Sequence, residues 1–379
     1  MKLVLHQPEE ACALPESYRR ALSSAVELLI VSAYLTNWNP GVGLNSKCKH
    51  FRMVVGKDFG LTRKAACQAV LAWLPPSHKV NFMVADRIDG FHPKAVFWRA
   101  EDDTVYAIIG SSNLSTAAVE RNYEANVELE ISTDDYAQAR KWIDDIVELS
   151  VPVSNDWLKN YEEAKPPRGR KRGNSSGGPP VLVLPLPTPA GTAAEIRKRR
   201  IVLDQHRAQR ENLLGLFRQC ADKTISSAQF YARLSDHWGG TAGGRLTGRG
   251  FEIKGKHADF RKLSLSFLRI LDTPSRDRDD VVIEEIDKLA AAKVPVRGAF
   301  LTEMLCLWFP KFYPVLNGPV RKYKAAIPFR SADGLSEGAK YLDLAYKLRA
   351  ALLSHPRHPA RNLAELDIVI WLAYGSADR

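Results

Sequence analysis

His92-Pro93-Lys94, then Val105-Tyr106-Ala107-Ile108-Ile109-Gly110-Ser111-Ser112-Asn113, then Glu124, is the stretch around which the first half of the chain organises itself. Chemistry at a phosphodiester needs a nucleophile, cations or amide donors around the non-bridging oxygens, and a proton source for the leaving oxygen. An imidazole can attack phosphorus, and side chains two apart on a strand share one face, so His92 and Lys94 are expected to meet one substrate together. Ser111 and Asn113 repeat that spacing at the end of the next apolar run, which predicts hydroxyl and amide donors in the same pocket. Gly110 allows close backbone approach, and Glu124 is a carboxylate that can orient an imidazole through its second ring nitrogen. Each motif is weak alone; their order and spacing carry the reading.

This arrangement resembles the phospholipase D superfamily, whose signature is His-x-Lys, usually with a downstream Asp, followed by Gly-Ser-x-Asn and a later Glu. The resemblance covers roughly residues 20 to 150. It implies that His92 is the nucleophile or general acid, Lys94 the phosphate-binding lysine, Ser111 and Asn113 the phosphate-contacting pair, and Glu124 the histidine-orienting carboxylate. Two features depart from the pattern: Arg99 stands where the family often has Asp, and Gly110 comes later than usual, as in a longer hairpin. Asp102 and Asp103 fall at the hairpin tip and receive no role. No second motif follows, because His50-Phe51-Arg52, His78-Lys79 and His257-Ala258-Asp259 lack the spacing. Single-motif members resemble half-sites, so the resemblance implies a homodimer through the catalytic domain, with one His92 attacking phosphorus and the other protonating the leaving oxygen.

Outward from the motif, strands and helices alternate. Leu28 to Leu35, Phe51 to Gly56, Val80 to Ala85 and Val127 to Ile131 read as strands beside the hairpin; Tyr18 to Val26, Leu61 to Leu74 and Tyr136 to Val147 read as helices, the second stopped by Pro75-Pro76. The fold class expected is α/β, a phospholipase-D-like layered catalytic domain over residues 1–160. Lys165 to Pro180 combines turn formers, like charges and few apolar residues, which predicts a basic Pro/Gly/Ser-rich linker over 161–192, with Val181 to Pro187 docking as an extended segment.

From 193 to 379 the spacing is mainly helical, with candidates at Ile196 to Phe217, Ser227 to Leu234, Phe260 to Leu271, Val281 to Ala292, Arg297 to Phe309, Gly338 to Leu353 and Leu363 to Tyr374. Leu301 to Val320 is similar, over a short stretch, to helical modules of restriction-associated proteins. Trp308, Phe312 and Tyr313 read there as core residues rather than a platform for bases.

Charge separates the two halves. Residues 1–160 hold 17 Lys and Arg against 20 Asp and Glu, so the whole chain's excess of +11 lies beyond them. A basic helical domain joined to a phosphodiesterase suits a polyanion. Arg197-Lys198-Arg199-Arg200, Arg245, Arg249, Lys254, Lys256, Arg261 and Lys262 are the candidate phosphate contacts, and Gly239 to Gly255 the candidate backbone-following loop. Five dispersed cysteines without a Cys-x-x-Cys pair argue against a disulfide framework or structural zinc. The start of the chain lacks a secretory apolar core, and no stretch has the length of a membrane span, so a cytoplasmic enzyme is expected. The sequence thus reads as an endonuclease that needs no metal or other cofactor, cleaves DNA through a phosphohistidine, and acts in restriction or anti-phage defence, with a defence-system partner protein. The rivals are a lipid-directed phospholipase D or transphosphatidylase and a non-catalytic nucleic-acid-binding protein of the same fold.

Overall fold

The computed structural model describes residues 1–8, 10–164, 182–239, 242–246 and 255–375. Two compact units divide the chain: 1–182 with 330–335, and 183–329 with 336–379. The first unit is α/β and the second mainly helical.

In the first unit the elements follow as β1 (Lys2–His6), α1 (Leu14–Ser24), β2 (Ala25–Ser32), β3 (His50–Val55), α2 (Lys64–Trp73), β4 (Phe82–Val84), β5 (Lys94–Ala100), β6 (Val105–Gly110), α3 (Thr116–Glu120), β7 (Glu124–Glu130), α4 (Thr133–Glu148), β8 (Val151–Pro152) and α5 (Asn155–Asn160). Eight strands form one mixed sheet in the order β1-β7-β6-β5-β2-β3-β4-β8. β2, β3 and β4 run parallel, and all other neighbours antiparallel. β2 is apolar and buried from Leu28 to Val31, as a central strand covered on both faces must be. One face lies under α1, whose Ala21 and Leu22 are buried; the other lies under α4, which Ser132 caps by accepting from Asp135 N and which buries Tyr136 and Ile143.

Several boundaries differ from the sequence reading. β2 begins at Ala25, inside the stretch read as helix, because no glycine or proline separates α1 from the strand. His92 lies before the hairpin rather than on it: Pro93 has no N–H for a ladder, and β5 starts at Lys94. β7 already begins at Glu124 and pairs His6 of β1 with Glu124, a strand pairing that no local pattern announced.

The second unit contains α6 (Thr192–Ala221), α7 (Ser227–Leu234), α8 (Phe260–Asp272), α9 (Arg278–Ala291), α10 (Thr302–Trp308), α11 (Gly318–Ala326), α12 (Glu337–Ser354) and α13 (Leu363–Tyr374) among the described residues. Ser226 and Gln229 form a reciprocal capping box on α7. Phe217, Phe230, Phe260, Phe267 and Phe300 make an aromatic core in which Phe217 and Phe267 have centroids 4.6 Å apart. Trp308 and Tyr313 are buried, whereas Phe312 is exposed. Leu184 is buried, and Pro185 O accepts from the Tyr323 hydroxyl at 2.9 Å, so this part of the segment after the basic run packs on the helical unit. No helix among the described residues is long and apolar enough to cross a membrane.

Candidate active site

The sheet register brings the motif to one end of the first unit. Ser32 of β2 pairs with Lys94 of β5, Gly110 of β6 with Asn126 of β7, and Glu124 of β7 with His6 of β1. Lys94, Asn126, Glu124 and His6 share the sheet face that carries α1, since side chains on one face recur every second residue.

The Lys94 ammonium stands 3.0 Å from His92 Nδ1 and 3.3 Å from Nε2, and donates to the His92 carbonyl at 3.0 Å. It can hydrogen-bond only to an unprotonated ring nitrogen, the form able to attack phosphorus. Partial burial pulls the Lys94 pKa below its ordinary value, and the charge of Glu124 opposes that shift. The His92 ring itself is exposed. Asp58 holds its approach, because Oδ2 accepts from Gly90 N at 2.8 Å and Phe91 N at 3.1 Å.

Glu124 is buried, and its two carboxylate oxygens accept from the Ser111 hydroxyl and from Asn122 Nδ2, the latter at 3.0 Å. Within one chain Glu124 is therefore joined to Ser111 and Asn122, not to His92. Ser111 Oγ also accepts from Ala125 N at 3.0 Å, so the serine is clamped to the start of β7.

Asn113 is anchored through its side-chain oxygen. Its Oδ1 accepts from Tyr34 N at 3.3 Å and from Ser32 Oγ at 3.5 Å, tying the Gly-Ser-Ser-Asn turn to the end of β2. That use of the oxygen leaves the amide N–H groups for a ligand. Ser111 borders a recess of about 530 Å³ with His6 and Glu124, and Asn113 borders a cavity of about 370 Å³ under α1.

Three residues near the site went unread in the sequence. Asn126 locks the turn by accepting from Ser112 N at 3.3 Å and donating to Ser112 Oγ at 2.9 Å. Its signal was the i, i+2 spacing from Glu124 on an alternating strand. Asp58 gave no local signal. His6 is buried on the recess wall with neither ring nitrogen hydrogen-bonded. Its pairing with Glu124 joins residues far apart in sequence.

The basic candidates of the second unit separate by environment. Arg199 is buried and pairs with Asp367 at 3.0 Å while donating to Leu246 O at 3.2 Å, so its reading as a phosphate contact is corrected: it is an internal strut. Arg200 pairs with Glu365 at 2.8 Å, and Arg245 stacks over the Trp238 ring at 4.9 Å. Lys262 pairs with Asp259 at 3.2 Å, whereas Arg197, Lys256 and Arg261 are exposed. Arg249 and Lys254 lie outside the described residues, as do most of the Gly239 to Gly255 loop and the basic run from Lys165. Among the described residues no three His, Cys, Asp or Glu side chains are grouped to hold a metal ion.

Fold and site together define an α/β unit with a histidine–lysine pair and a serine–glutamate pair at one end of a mixed eight-stranded sheet. Among solved structures the chain is similar to NucT from Helicobacter pylori, at 18% identity and a TM-score of 0.29, over 40% of this chain and 98% of that one. No family model and no curated protein matches the chain.

Proposed function

We propose that the first unit is a half-site of the phospholipase D type and that the protein is an endonuclease cleaving DNA without a metal ion. The observation that carries this reading is the Lys94 ammonium held against the His92 ring beside the Ser111–Glu124 pair. In the reaction a ring nitrogen of His92 bonds to phosphorus as the bond to the leaving oxygen breaks, and that oxygen takes its proton from the His92 imidazolium of a second copy. Water then attacks phosphorus, gives its proton to the second imidazole, and the N–P bond breaks. Lys94 and the Asn113 amide offset the extra negative charge on the non-bridging oxygens.

The second copy has a surface to meet. Leu3, Leu5 and Ile109 are 62%, 64% and 48% exposed on the sheet face opposite Lys94, and Val127 lies between β1 and β6 on that face. We take this apolar strip, which runs along β6 to Gly110, as the face that meets the second copy. A role in restriction or anti-phage defence, with a partner protein of such a system, is the biological setting we propose.

The test is cleavage of plasmid in excess chelator by wild type and His92→Ala, with acid-labile phosphate trapped on the protein and phosphatidylcholine as the competing substrate. Cutting that survives chelation, vanishes in His92→Ala and leaves label on His92 is the expected result. Loss of all cutting in chelator, or hydrolysis of the lipid alone, refutes the reading. A fully active monomer refutes the paired site, and Leu5→Glu is expected to give an inactive monomer.

A further inference from the structure

Behind the Lys94–His92 pair, on the same sheet face, lies the half-open cavity of about 370 Å³ bordered by α1, the 37–41 loop and the start of α3. Its floor contains Ile30 and Val96, register partners two residues along β2 and β5 from Ser32 and Lys94. At a rise of about 3.3 Å per residue that floor begins roughly 7 Å from Lys94. Its walls include the rings of Tyr18 and Trp38, and its polar edge the amides of Asn37 and Asn113.

The indole wall is fixed. Trp38 packs edge-on against Trp73 at 5.0 Å, Trp73 Nε1 donates to Val42 O at 2.8 Å, and Thr36 N donates to Leu114 O at 2.9 Å. Trp38 Nε1 itself is buried without a hydrogen-bond partner. Burial, with the Glu124 charge adding to it, pushes the Tyr18 phenol up, so its hydroxyl keeps its proton and remains a donor. The space is near the small end of ligand pockets, which run from about 300 to 1,000 Å³. A planar apolar body between aromatic walls, with a hydrogen-bonding edge facing amides, is the chemistry of a nucleobase.

We propose that this cavity takes one unstacked nucleobase of the substrate strand, that of the nucleotide adjoining the scissile phosphate. The proposal rests on the phosphodiesterase reading and names its substrate class: single-stranded or locally unpaired DNA, because a base must leave its stack and its pair to enter a pocket of the protein. Asn113 is the shared wall, anchored by its oxygen at the phosphate end and bordering the base cavity.

The experiment uses the full chain and single-stranded oligonucleotides with one natural phosphodiester among methylphosphonates. A single abasic residue is moved along the strand. Loss of one stacked base is expected to lower kcat/KM by roughly 5- to 150-fold at one position beside the cleavable bond and to leave other positions unchanged. Trp38→Ala is expected to cut the intact strand slowly and to lose the distinction between base and abasic site; Trp38→Phe is expected to keep it. The wild-type scan alone decides the matter if Trp38→Ala fails to fold. Efficient cutting that ignores the abasic residue at every position overturns the base pocket and leaves the phosphodiesterase standing. No cutting of any strand removes the phosphodiesterase reading, and the pocket's assignment with it.

Discussion

Gly110→Ala places one methyl group where β6 crosses β7. A Cβ there would stand 2.6 Å from Asn126 Cα and nearer still to Ala125 O and Asn126 Oδ1. Carbon contacts settle at about 3.5–4.0 Å, so the strands must part by roughly 1 Å. The Ser111 N to Ala125 O hydrogen bond, now 3.1 Å, then passes beyond useful length, and the Asn126 clamp on Ser112 opens with it. Overpacking and a lost hydrogen bond together cost about 2 to 4 kcal/mol, which for a unit of this size lowers Tm by roughly 5–15 °C. The same displacement moves Ser111 against Glu124, and a shift of about 1 Å in a positioned group can cost on the order of 100-fold in rate. Calorimetry and kcat/KM on DNA measure the two effects, with Gly43→Ala as the control because nothing lies within 4 Å of a Cβ at Gly43. A Gly110→Ala protein that melts and cuts like wild type would refute the argument that this crossing positions the serine.

If Lys94 holds phosphate as proposed, it must be charged to do so, and its burial lowers its pKa, so the alkaline limb of kcat/KM should fall below the range of an ordinary lysine and move upward in Lys94→Arg. A limb at the ordinary lysine value would contradict this. His206, buried and faced by Arg210 and Arg207, has its pKa pulled down to about 4. The unfolded chain binds the proton first, so stability is full above about pH 6.5 and falls by about 3 kcal/mol as pH drops towards 4. Urea titrations at pH 7.5 and 4.5 should show this loss, and His206→Phe should remove most of it; an equal loss in the variant would be the wrong outcome. Arg199→Ala leaves Asp367 buried without its ion pair and should cost about 3–5 kcal/mol, with the salt slope of DNA binding unchanged. Lys256→Ala with Arg261→Ala should do the reverse, lowering the slope by up to about 2 with little change in Tm.

The hairpin was legible in the sequence because its turn and its apolar runs are local. Gly110 was legible too, since only a close approach explains a glycine between an apolar strand and a polar turn. Pairings across long separations were not: His6 reaches Glu124, and Arg199 reaches Asp367, through the folded chain alone. Arg199 sits in a run of four basic residues, and only the helix turn reveals that one of the four points inward. Asn113 was read as a donor to substrate; the anchoring of its oxygen by Tyr34 N and Ser32 was not legible, because those partners come from a strand end some 80 residues earlier.

Residues 330–335 belong to the first unit although the intervening chain builds the second. Arg330 N donates to Asp156 Oδ2 at 3.3 Å, and Lys79 Nζ to Asp333 O at 3.1 Å. On the ribosome, the first unit therefore lacks its last piece until some 150 further residues have been made, a delay of roughly 8–30 s at common elongation rates. The α/β unit is thereby kept incomplete until the helices from α6 to α11 have been translated, and of the described helices only α12 and α13 remain to be made when its last piece arrives.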